Sequence, residues 1–554
     1  MIATIRKKIL SLYVLLLMLC CSNAQLVKQP HLQKRVNATQ LIVNGKPFLV
    51  LGGELHNSSS SSMAYMQALW QPLHQQHLNT VLAAVSWQLV EPQENKFDFA
   101  LVDGILKGAR DHGLKVILLW FGSWKNGLSH YVPLWVKKDY QRFPRIVLQN
   151  GKSTETISAL SKEAATSDAK ALAALMRHVK EVDAQQQTII MIQIENEVGV
   201  IGDTRDHSAR ANAEFAKPVP AALLNGMEKY KDELQPSFKK RWDAAGAKTS
   251  GSWAEVFGNN ASADEAFMAW HYARYINQIA EAGKAAYNIP MFVNAWIVQP
   301  EDKKPGDYPS GGPQEHVHDI WRIGAPALDI KAPDIYLPDF KGIAKSYYHT
   351  WNALFVPESF SGKNGAANAF YAIGNLNAIG YSPFGIDNKV DEPAETPLSK
   401  AYDVLAQLTP QILEAQAKGG IKGISLDKMD SVQIFELGGY KLMVTLRKNW
   451  NGVSQTDKGY GLVMNTGKDE FTVAGADIDV VFVPASSGPQ MAGLASVNEG
   501  QYINGSWKPG RLLNGDAVMM SYKLADEAAA GRTGTGARLN AEPAILKVKL
   551  YSYE

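Results

Sequence analysis

The chain has 554 residues, which is more than one domain of ordinary size and suits a barrel with an accessory domain. Hydrophobic residues make up 46% of the chain and charged residues 20%, and the net charge is +2. This is the composition of a soluble globular protein, and its balanced charge gives no attraction to nucleic acid or to anionic membranes. We therefore expect neither as a partner.

The first 24 residues have the organisation of a signal peptide. Basic residues at 6–8 precede an apolar stretch at 9–19 and a small-x-small cleavage site at 22–24. Cleavage there would make Gln25 the first residue, and we expect an exported protein of the periplasm or the extracellular space. An uncleaved anchor is the alternative, although the apolar stretch is short for a membrane span.

The two cysteines of the chain, Cys20 and Cys21, lie in this same segment. Lipid attachment to one of them is a further alternative, but neither follows the small residue that such a site requires. If cleavage follows Ala24, the mature chain has no cysteine, which excludes a disulfide and thiol catalysis.

From residue 41 to residue 387, short runs rich in Val, Ile and Leu alternate with helical patterns, which predicts βαβ units and a parallel sheet. Eight strands are predicted, at 48–55, 80–87, 115–124, 188–197, 290–297, 333–338, 354–360 and 378–386. The clearest helices are predicted at 63–77, 99–112, 165–183 and 264–287. Eight such units favour an α/β fold of the (β/α)8 TIM-barrel type over an open sheet.

The pattern changes after a charged, proline-containing segment at 391–397. A helix is predicted at 399–418, followed by short strands at 432–435, 441–446, 460–464, 478–483, 517–522 and 544–550. These strands predict a β-sandwich-like accessory domain. The glycine-rich segment 531–536 is predicted to be a loop without a nucleotide-binding context. We thus divide the chain into a signal peptide at 1–24, a catalytic barrel at 25–395 and a β-rich domain at 396–554.

Carboxylates end two of the predicted barrel strands, where TIM-barrel enzymes carry their catalytic residues. Strand four ends in Glu195, Asn196 and Glu197, and strand seven ends in Glu358. Glycosidic cleavage needs one carboxyl group to protonate the leaving oxygen and another to attack the sugar or activate water. Either residue alone has the alternative of a solvated strand end, but the pair favours catalysis. A regular strand would put Glu195 and Glu197 on one face and Asn196 on the other, and we interpret Glu195 as a structural, salt-bridged carboxylate.

Residues 193–197 read QIENE and resemble the Q-x-E-N-E signature of family 35 β-galactosidases, which are retaining glycosidases built on a (β/α)8 barrel. Three further motifs are similar to family motifs: GELH at 53–56, WQLVEP at 87–92 and FDF at 97–99. The resemblance covers the barrel, residues 41–387.

The resemblance implies a role for each of the strand-end residues. Glu197 would be the acid/base, Glu358 the nucleophile, and Asn196 would hold the sugar 2-hydroxyl. The implied activity is that of an exo-acting β-galactosidase. Such an enzyme releases terminal galactose from oligo- or polysaccharides, such as plant cell-wall oligosaccharides, by double displacement.

Five further residues are expected to contact the substrate: Glu54 of the GELH motif, Trp87, Trp124, Asn126 and Tyr336. These two tryptophans and Trp296 end predicted strands and offer rings for stacking on sugar, with a place in the core as the alternative for each. Tyr336 ends strand six and is expected to hydrogen-bond the nucleophile carboxylate, with an ordinary half-buried tyrosine as the alternative.

The chain departs from the family pattern where the sugar contacts lie. Val198 stands in place of an aromatic residue, and Asn57 in place of a tyrosine. Residues 121–127, FGSWKNG, replace a strand-three CAEW motif whose glutamate contacts galactose. These departures leave the implied mechanism unaffected, put the sugar contacts in question and indicate a divergent bacterial branch.

The sequence contains no metal-ligand spacing and no phosphate-binding loop, so no metal or other cofactor is expected, and no oligomeric state is indicated. Three rival functions remain. The first is another retaining barrel glycosidase of the β-glucosidase, mannanase or arabinosidase type. The second is a catalytically inactive sugar-binding relative, and the third is a structural or adhesive secreted protein. The pair of strand-end carboxylates argues against the last two.

Overall fold

The computed structural model describes residues 28–389, 395–449, 451–485, 490–522 and 532–554. The signal peptide predicted at 1–24 lies outside these residues, as do both cysteines, so export stays a prediction. Residues 391–394 of the predicted linker lie outside them too. In the described part of the chain, no helix is both long enough and apolar enough to cross a membrane.

A barrel of eight parallel strands forms the first part of the molecule. In chain order, barrel strands one to eight are Val50–Glu54, Thr80–Ser86, Lys115–Lys125, Ile189–Asn196, Met291–Trp296, Ile330–Asp334, Phe355–Val356 and Gly380–Tyr381. Strand eight pairs with both strand one and strand seven. The barrel closes between strands six and seven, where the Ile335 amide donates to the Glu358 carbonyl at 3.0 Å. The TIM-barrel prediction is confirmed.

Helices surround this barrel. The described α-helices of the barrel part are Met63–Gln67, Trp70–Gln75, Trp87–Val90, Ala100–Asp111, Leu134–Lys138, Lys162–Asp183, Ala209–Phe215, Ala221–Lys229, Pro236–Ala244, Trp253–Phe257, Ala261–Ala286, His318–Gly324, Phe340–Tyr347, Gly362–Asn375 and Pro397–Lys418. Short 3-10 helices occur at Ser59–Ser61, Glu315–Val317 and Ile386–Lys389, and a two-stranded ribbon joins Arg145–Val147 to Ser153–Ile157.

The apolar strand sequences are explained by burial on both faces of the sheet. Inside the barrel, Ile117, Leu119 and Ile190 belong to one buried cluster. Their neighbours Val116 and Leu118 point outward into the larger core beneath the helices. Successive side chains of a strand alternate between faces, so a strand covered on both sides needs a continuous apolar run.

A three-stranded antiparallel sheet that the sequence did not predict precedes the barrel, with strands His31–Lys34, Thr39–Val43 and Lys46–Phe48. Its buried residues Leu41 and Val43 belong to the same cluster as the inward-facing barrel side chains. The sheet therefore closes the end of the barrel at which the strands begin, and leaves the other end to the polar strand-end residues.

Several predicted bounds differ from the observed ones. The pattern places strand six at 333–338, whereas it begins at Ile330 and ends at Asp334. Strands seven and eight are two residues each, and strand seven ends at Val356, just before Pro357, because proline has no amide hydrogen to donate to a neighbouring strand. The helix predicted at 63–77 is broken into two shorter helices.

Two antiparallel sheets form the C-terminal part. In spatial order the first contains Ile421–Asp427, Lys458–Gly467, Glu470–Ala476, Ala544–Tyr553, Met491–Ile503 and Ser506–Leu513, and the second contains Val432–Leu437, Tyr440–Leu446, Ile478–Pro484, Gly534–Leu539 and Val518–Tyr522. A 3-10 helix, Gly515–Ala517, precedes the last of these. Val463 and Phe471 of the first sheet share an apolar core with Val444 and Phe482 of the second. The β-sandwich-like region is confirmed.

The loop predicted at 531–536 is wrong in its second half. Gly534 begins a strand that pairs with Ile478–Pro484, while Gly531 lies outside the described residues. A side chain at Gly536 would collide with the Val480 carbonyl of that neighbouring strand. These glycines therefore permit a close approach between strands, which a composition-based prediction reads as a loop.

The helix Pro397–Lys418 contacts both parts of the molecule. Its Tyr402 hydroxyl donates to the carbonyls of Gly52 at 3.0 Å and Tyr381 at 2.8 Å, on barrel strands one and eight. Its Gln407 accepts a hydrogen bond from the Tyr502 amide of the sandwich at 2.9 Å. The predicted domain boundary at residue 396 falls just before this shared helix, and the extents of the two domains stay predictions.

Candidate active site

The end of barrel strand four is not a regular strand. Glu195 and Glu197 have φ angles of 60° and 45°, in the left-handed region that non-glycine residues rarely adopt. The side chains of residues 195–197 therefore do not alternate between the two faces of the strand as predicted. Asn196 and Glu197 both lie close to Glu358, whereas Glu195 points to the backbone of strand three. Left-handed non-glycine residues cost free energy and cluster at functional sites.

Glu195 is a structural carboxylate, although not through the predicted salt bridge. It is fully buried and accepts hydrogen bonds from the backbone amides of Ser123 at 3.0 Å and Trp124 at 2.7 Å. Burial first, and then the charge of Asp168, raises the pKa of Glu195 well above its usual value. Asp168 itself accepts from the Trp120 indole at 2.8 Å, so the two carboxyl groups fix the end of strand three.

Glu197 and Glu358 meet at the mouth of the barrel. One carboxyl oxygen of each, and one of Asp334, all lie within 4.8 Å of one another. The three side chains are buried, and they come from the ends of strands four, six and seven. The parallel strands therefore deliver three carboxyl groups to one point.

Glu358 is the carboxyl group of this trio with the most hydrogen-bond donors. Its Oε1 accepts from Asn196 Nδ2 at 3.2 Å and from Asn294 Nδ2 at 3.3 Å, and its Oε2 accepts from the Tyr336 hydroxyl at 3.0 Å. Donors aimed at a carboxylate favour its ionised form. The contact from Tyr336 is the one that the sequence predicts.

Glu197 has the opposite environment. Burial, and next the negative charge of Glu358, raises the pKa of Glu197 to about 8, against a smaller lowering by Lys125. Its Oε2 accepts a short hydrogen bond from Asn126 Nδ2, and its backbone amide donates to Asn294 Oδ1 at 3.0 Å. Near neutral pH, Glu197 therefore holds a proton.

Three residues of this site were missed by the sequence reasoning. Asn294 donates to Asp334 Oδ2 at 2.7 Å as well as to Glu358, and Lys125 Nζ donates to Asn196 Oδ1 at 2.9 Å. Asn294 and Asp334 are polar residues within the last three positions of apolar strands five and six. A polar residue near the end of an apolar strand, the pattern that indicated Glu197 and Glu358, therefore also marks Asn294 and Asp334.

Glu54, predicted to contact substrate, ends strand one and is completely buried. Among the described residues, neither of its carboxyl oxygens has a hydrogen-bond partner. Burial, then the charge of Glu358, raises the pKa of Glu54 well above its usual value. Glu54 therefore binds its proton more tightly than an exposed glutamate, and the charge of the nucleophile candidate Glu358 contributes to this.

The predicted sugar stacking by Trp87 and Trp124 is corrected by the structure. Neither residue has any exposed surface. Trp87 donates to Glu91 at 2.8 Å and packs edge-on against Trp135, and Trp124 donates to the Ile157 carbonyl at 3.0 Å. Both rings belong to the core, the alternative considered above, because their strands are covered by helices on the outside.

Within the described ranges, the carboxyl oxygens of Glu197, Asp334 and Glu358 lie close enough together to hold a metal ion. Acidic side chains of this kind suit a hard cation such as Mg²⁺. The prediction that no cofactor is needed stays a prediction.

Comparison with known proteins gives two family matches. Residues 60–258 match a glycoside hydrolase family 42 model described as "Beta-galactosidase", and residues 398–522 match a domain of unknown function, DUF5597. A β-galactosidase of Xanthomonas manihotis is 30% identical over 191 residues, which are 32% of this chain and 28% of that protein. The chain thus aligns with less than a third of that relative's length.

One solved structure that is similar to this chain is a β-galactosidase from Bacillus circulans sp. alkalophilus. The two have 12% sequence identity and a TM-score of 0.44, over 90% of this chain and 99% of that one. A β-mannanase from the blue mussel Mytilus edulis has 12% identity and a TM-score of 0.38 over 67% of this chain and 99% of that one. The family 35 resemblance of the sequence motifs is not confirmed, since the matching model is that of family 42. Residues 60–258 of the barrel are thus similar to a glycoside hydrolase family, and part of the chain is similar to a β-galactosidase.

Proposed function

We propose that this protein is a retaining, exo-acting β-galactosidase in which Glu358 is the nucleophile and Glu197 the acid/base. The observation that carries the proposal is the contrast between two adjacent carboxyl groups. Glu358 is hydrogen-bonded by three donors that favour its anion, and Glu197 has its pKa raised to about 8. Two carboxyl groups whose protonation is driven apart are the requirement for acid/base and nucleophile roles.

The separation of the two groups supports retention of configuration. Their carboxyl oxygens approach within 4.8 Å. Retaining glycosidases have carboxyl groups about 5–5.5 Å apart, whereas inverting enzymes leave about 6.5–9.5 Å for a water molecule. The close approach of the observed pair therefore favours the retaining arrangement.

The reaction then follows from the two protonation states. Glu358 attacks the anomeric carbon while Glu197 gives its proton to the leaving oxygen, which yields a glycosyl ester on Glu358. The ester carries no charge, so the repulsion that raises the pKa of Glu197 is removed. Glu197 becomes a stronger acid, remains ionised and can take a proton from the water that hydrolyses the ester.

The choice of galactose rests on the sequence motifs and on the similarity to β-galactosidases. The hydrogen bond from Asn196 to Glu358 supports the proposed role of Asn196 at the sugar 2-hydroxyl next to the nucleophile. Glu54 has two unpaired oxygens to offer to a hydroxyl group, and Asn126 lies beside the acid/base. Trp296, at the end of strand five, keeps part of its surface exposed and replaces the two buried tryptophans as the candidate for stacking.

A panel of p-nitrophenyl glycosides tests the substrate assignment. The β-galactoside is expected to be cleaved with the highest kcat/KM among β-galactoside, β-glucoside, β-mannoside and α-arabinoside, and proton NMR of the fresh product should show the β-anomer. Rapid cleavage of another β-glycoside with an inert β-galactoside would contradict the galactose assignment and leave the retaining mechanism standing. An α-anomer as first product would contradict retention, and inert glycosides throughout would favour a sugar-binding relative.

The pH dependence of kcat/KM follows from the raised pKa of Glu197. The proton that this residue must donate is present below that pKa and is lost as the pH rises through it, so activity is expected to fall above about pH 8. A pH profile with an activated and an unactivated β-galactoside measures this. The fall should be steep for the unactivated substrate, which needs the proton, and a fall that is already complete below neutral pH would contradict the assignment.

A further inference from the structure

Asp334 has no role in the double displacement as described, yet it occupies the centre of the site. Its side chain is 2% exposed, and one of its carboxyl oxygens lies within 4.8 Å of an oxygen of both Glu197 and Glu358. Asn294 Nδ2 donates to Oδ2, and Oδ1 has no partner in the described part of the chain. A buried carboxyl oxygen without a donor is much more costly as an anion than as the hydroxyl of a neutral acid, which can donate to a neighbouring carboxyl oxygen.

The charges around Asp334 decide its protonation. The titratable groups that interact with it are Glu54 of strand one, Glu197 of strand four, Tyr336 after strand six, Tyr347 of the helix Phe340–Tyr347 and Glu358 of strand seven. The cation that acts on the neighbouring Glu54 and Glu197 is Lys125, whose Nζ donates to Asn196 Oδ1. One cation is balanced by one anion, and Glu358, with its three donors, is the carboxyl group best able to be that anion.

The proton of Asp334 can stabilise the ionised form of Glu197. Burial first, and then the charges of Glu358, Glu197 and Glu54, holds the pKa of Asp334 well above its usual range. A hydrogen bond from Asp334 lowers the pKa of Glu197. A neutral Asp334 therefore stabilises Glu197 when Glu197 is the anion, which is its state in the glycosyl-enzyme.

We propose that Asp334 is a permanently protonated positioning residue, whose Oδ1 hydroxyl donates a hydrogen bond to the Glu197 carboxylate after Glu197 has protonated the leaving group. The proposal rests on the acid/base role proposed for Glu197. In this role Asp334 neither gives up its proton nor touches the substrate, because Oδ2 stays bonded to Asn294 and Oδ1 is the oxygen left free to carry the proton. Its effect is to hold the acid/base carboxylate in place between the two steps and to limit how far burial raises its pKa.

Two substitutions separate this role from that of an ionised Asp334. Asp334→Asn keeps the size, the neutrality, an acceptor for Asn294 and a donor for Glu197, so the basic limb of kcat/KM should stay where it is in the wild type. Asp334→Ala removes the donor, and the limb should move up by about one pH unit, the equivalent of one hydrogen bond to a charged group. If Asp334 is instead an anion, Asp334→Asn removes a negative charge beside Glu197. The limb would then fall by about a unit or more, which would overturn the proposal.

A spectroscopic measurement tests the proton without any substrate. The infrared difference between wild type and Asp334→Asn at neutral pH should show loss of the C=O stretch of a protonated carboxylic acid, and loss of a carboxylate stretch instead would refute the proposal. This readout needs no turnover, so it holds even if no glycoside proves to be a substrate. It also needs only Asp334→Asn, which decides the question if Asp334→Ala fails to fold, as a thermal melt would reveal.

Discussion

Glu358→Ala is expected to lower kcat for a β-galactoside by about 10⁴- to 10⁶-fold, the scale seen when a nucleophile or its essential partner is removed from a hydrolase. The substitution removes the carboxylate that Asn196, Asn294 and Tyr336 converge on. Without it no glycosyl ester can form, because no other carboxyl group in the trio has three donors to keep it ionised. The measurement is steady-state hydrolysis of a p-nitrophenyl β-galactoside by purified wild type and variant.

Azide gives the sharper result for the same variant. The small anion fits where the carboxylate was removed and attacks the anomeric carbon from the same face, while Glu197 still protonates the leaving group. The product should be the α-galactosyl azide, with part of the lost rate restored. Glu155→Ala serves as the matched control, since Glu155 is a barrel-domain glutamate whose side chain is 82% exposed. Wild-type rates in Glu358→Ala, or equal losses in both variants, would contradict the nucleophile assignment.

The fold and the candidate catalytic pair could be predicted because both rest on local patterns. Runs such as 189–192 are apolar on both faces, so they had to be covered strands, and a carboxylate at the end of such a strand stands out. Glu358 and Tyr336 follow this logic, and the structure joins them at 3.0 Å. The same logic applied to Asn294 and Asp334 would have completed the site, because their strands end in the same way.

What could not be predicted depends on contacts between distant segments. The left-handed backbone at Glu195 and Glu197 reverses the expected alternation, and only the packing of Glu195 against Ser123 and Trp124 shows why. The burial of Trp124 likewise depends on Tyr272 and Tyr275, whose helix is remote in sequence. The sequence around a tryptophan at a strand end does not show which side of the sheet its ring faces.

Glu197→Ala is expected to lose activity in proportion to how much the leaving group needs a proton. For an alkyl or sugar aglycone, kcat/KM should fall by about 10²- to 10⁴-fold, the contribution of a well-placed general acid. For a dinitrophenyl galactoside, formation of the glycosyl-enzyme should be nearly unaffected, because that phenolate leaves without protonation. The comparison of the two substrates, with the burst of dinitrophenolate measured by stopped flow, isolates the first step.

The second step of the same variant should be slow, because Glu197 is no longer there to take the proton from water. Azide needs no base, so it should release the glycosyl-enzyme as the β-galactosyl azide, the anomer opposite to that from Glu358→Ala. Glu195→Gln is the matched control two residues away. Glu195 bonds the backbone of strand three and does not contact Glu358. Any loss in that variant should therefore be the same for both leaving groups.

The pH profile of Glu197→Ala shows whether the proton that is lost above about pH 8 belongs to Glu197. The decline of wild-type activity above about pH 8 should disappear in Glu197→Ala, since the group with the raised pKa is gone. A variant that keeps both this decline and the wild-type dependence on leaving group would show that another acid protonates the glycosidic oxygen. Asp334, the remaining buried carboxyl group within 4.8 Å of Glu358, would then be the residue to substitute next.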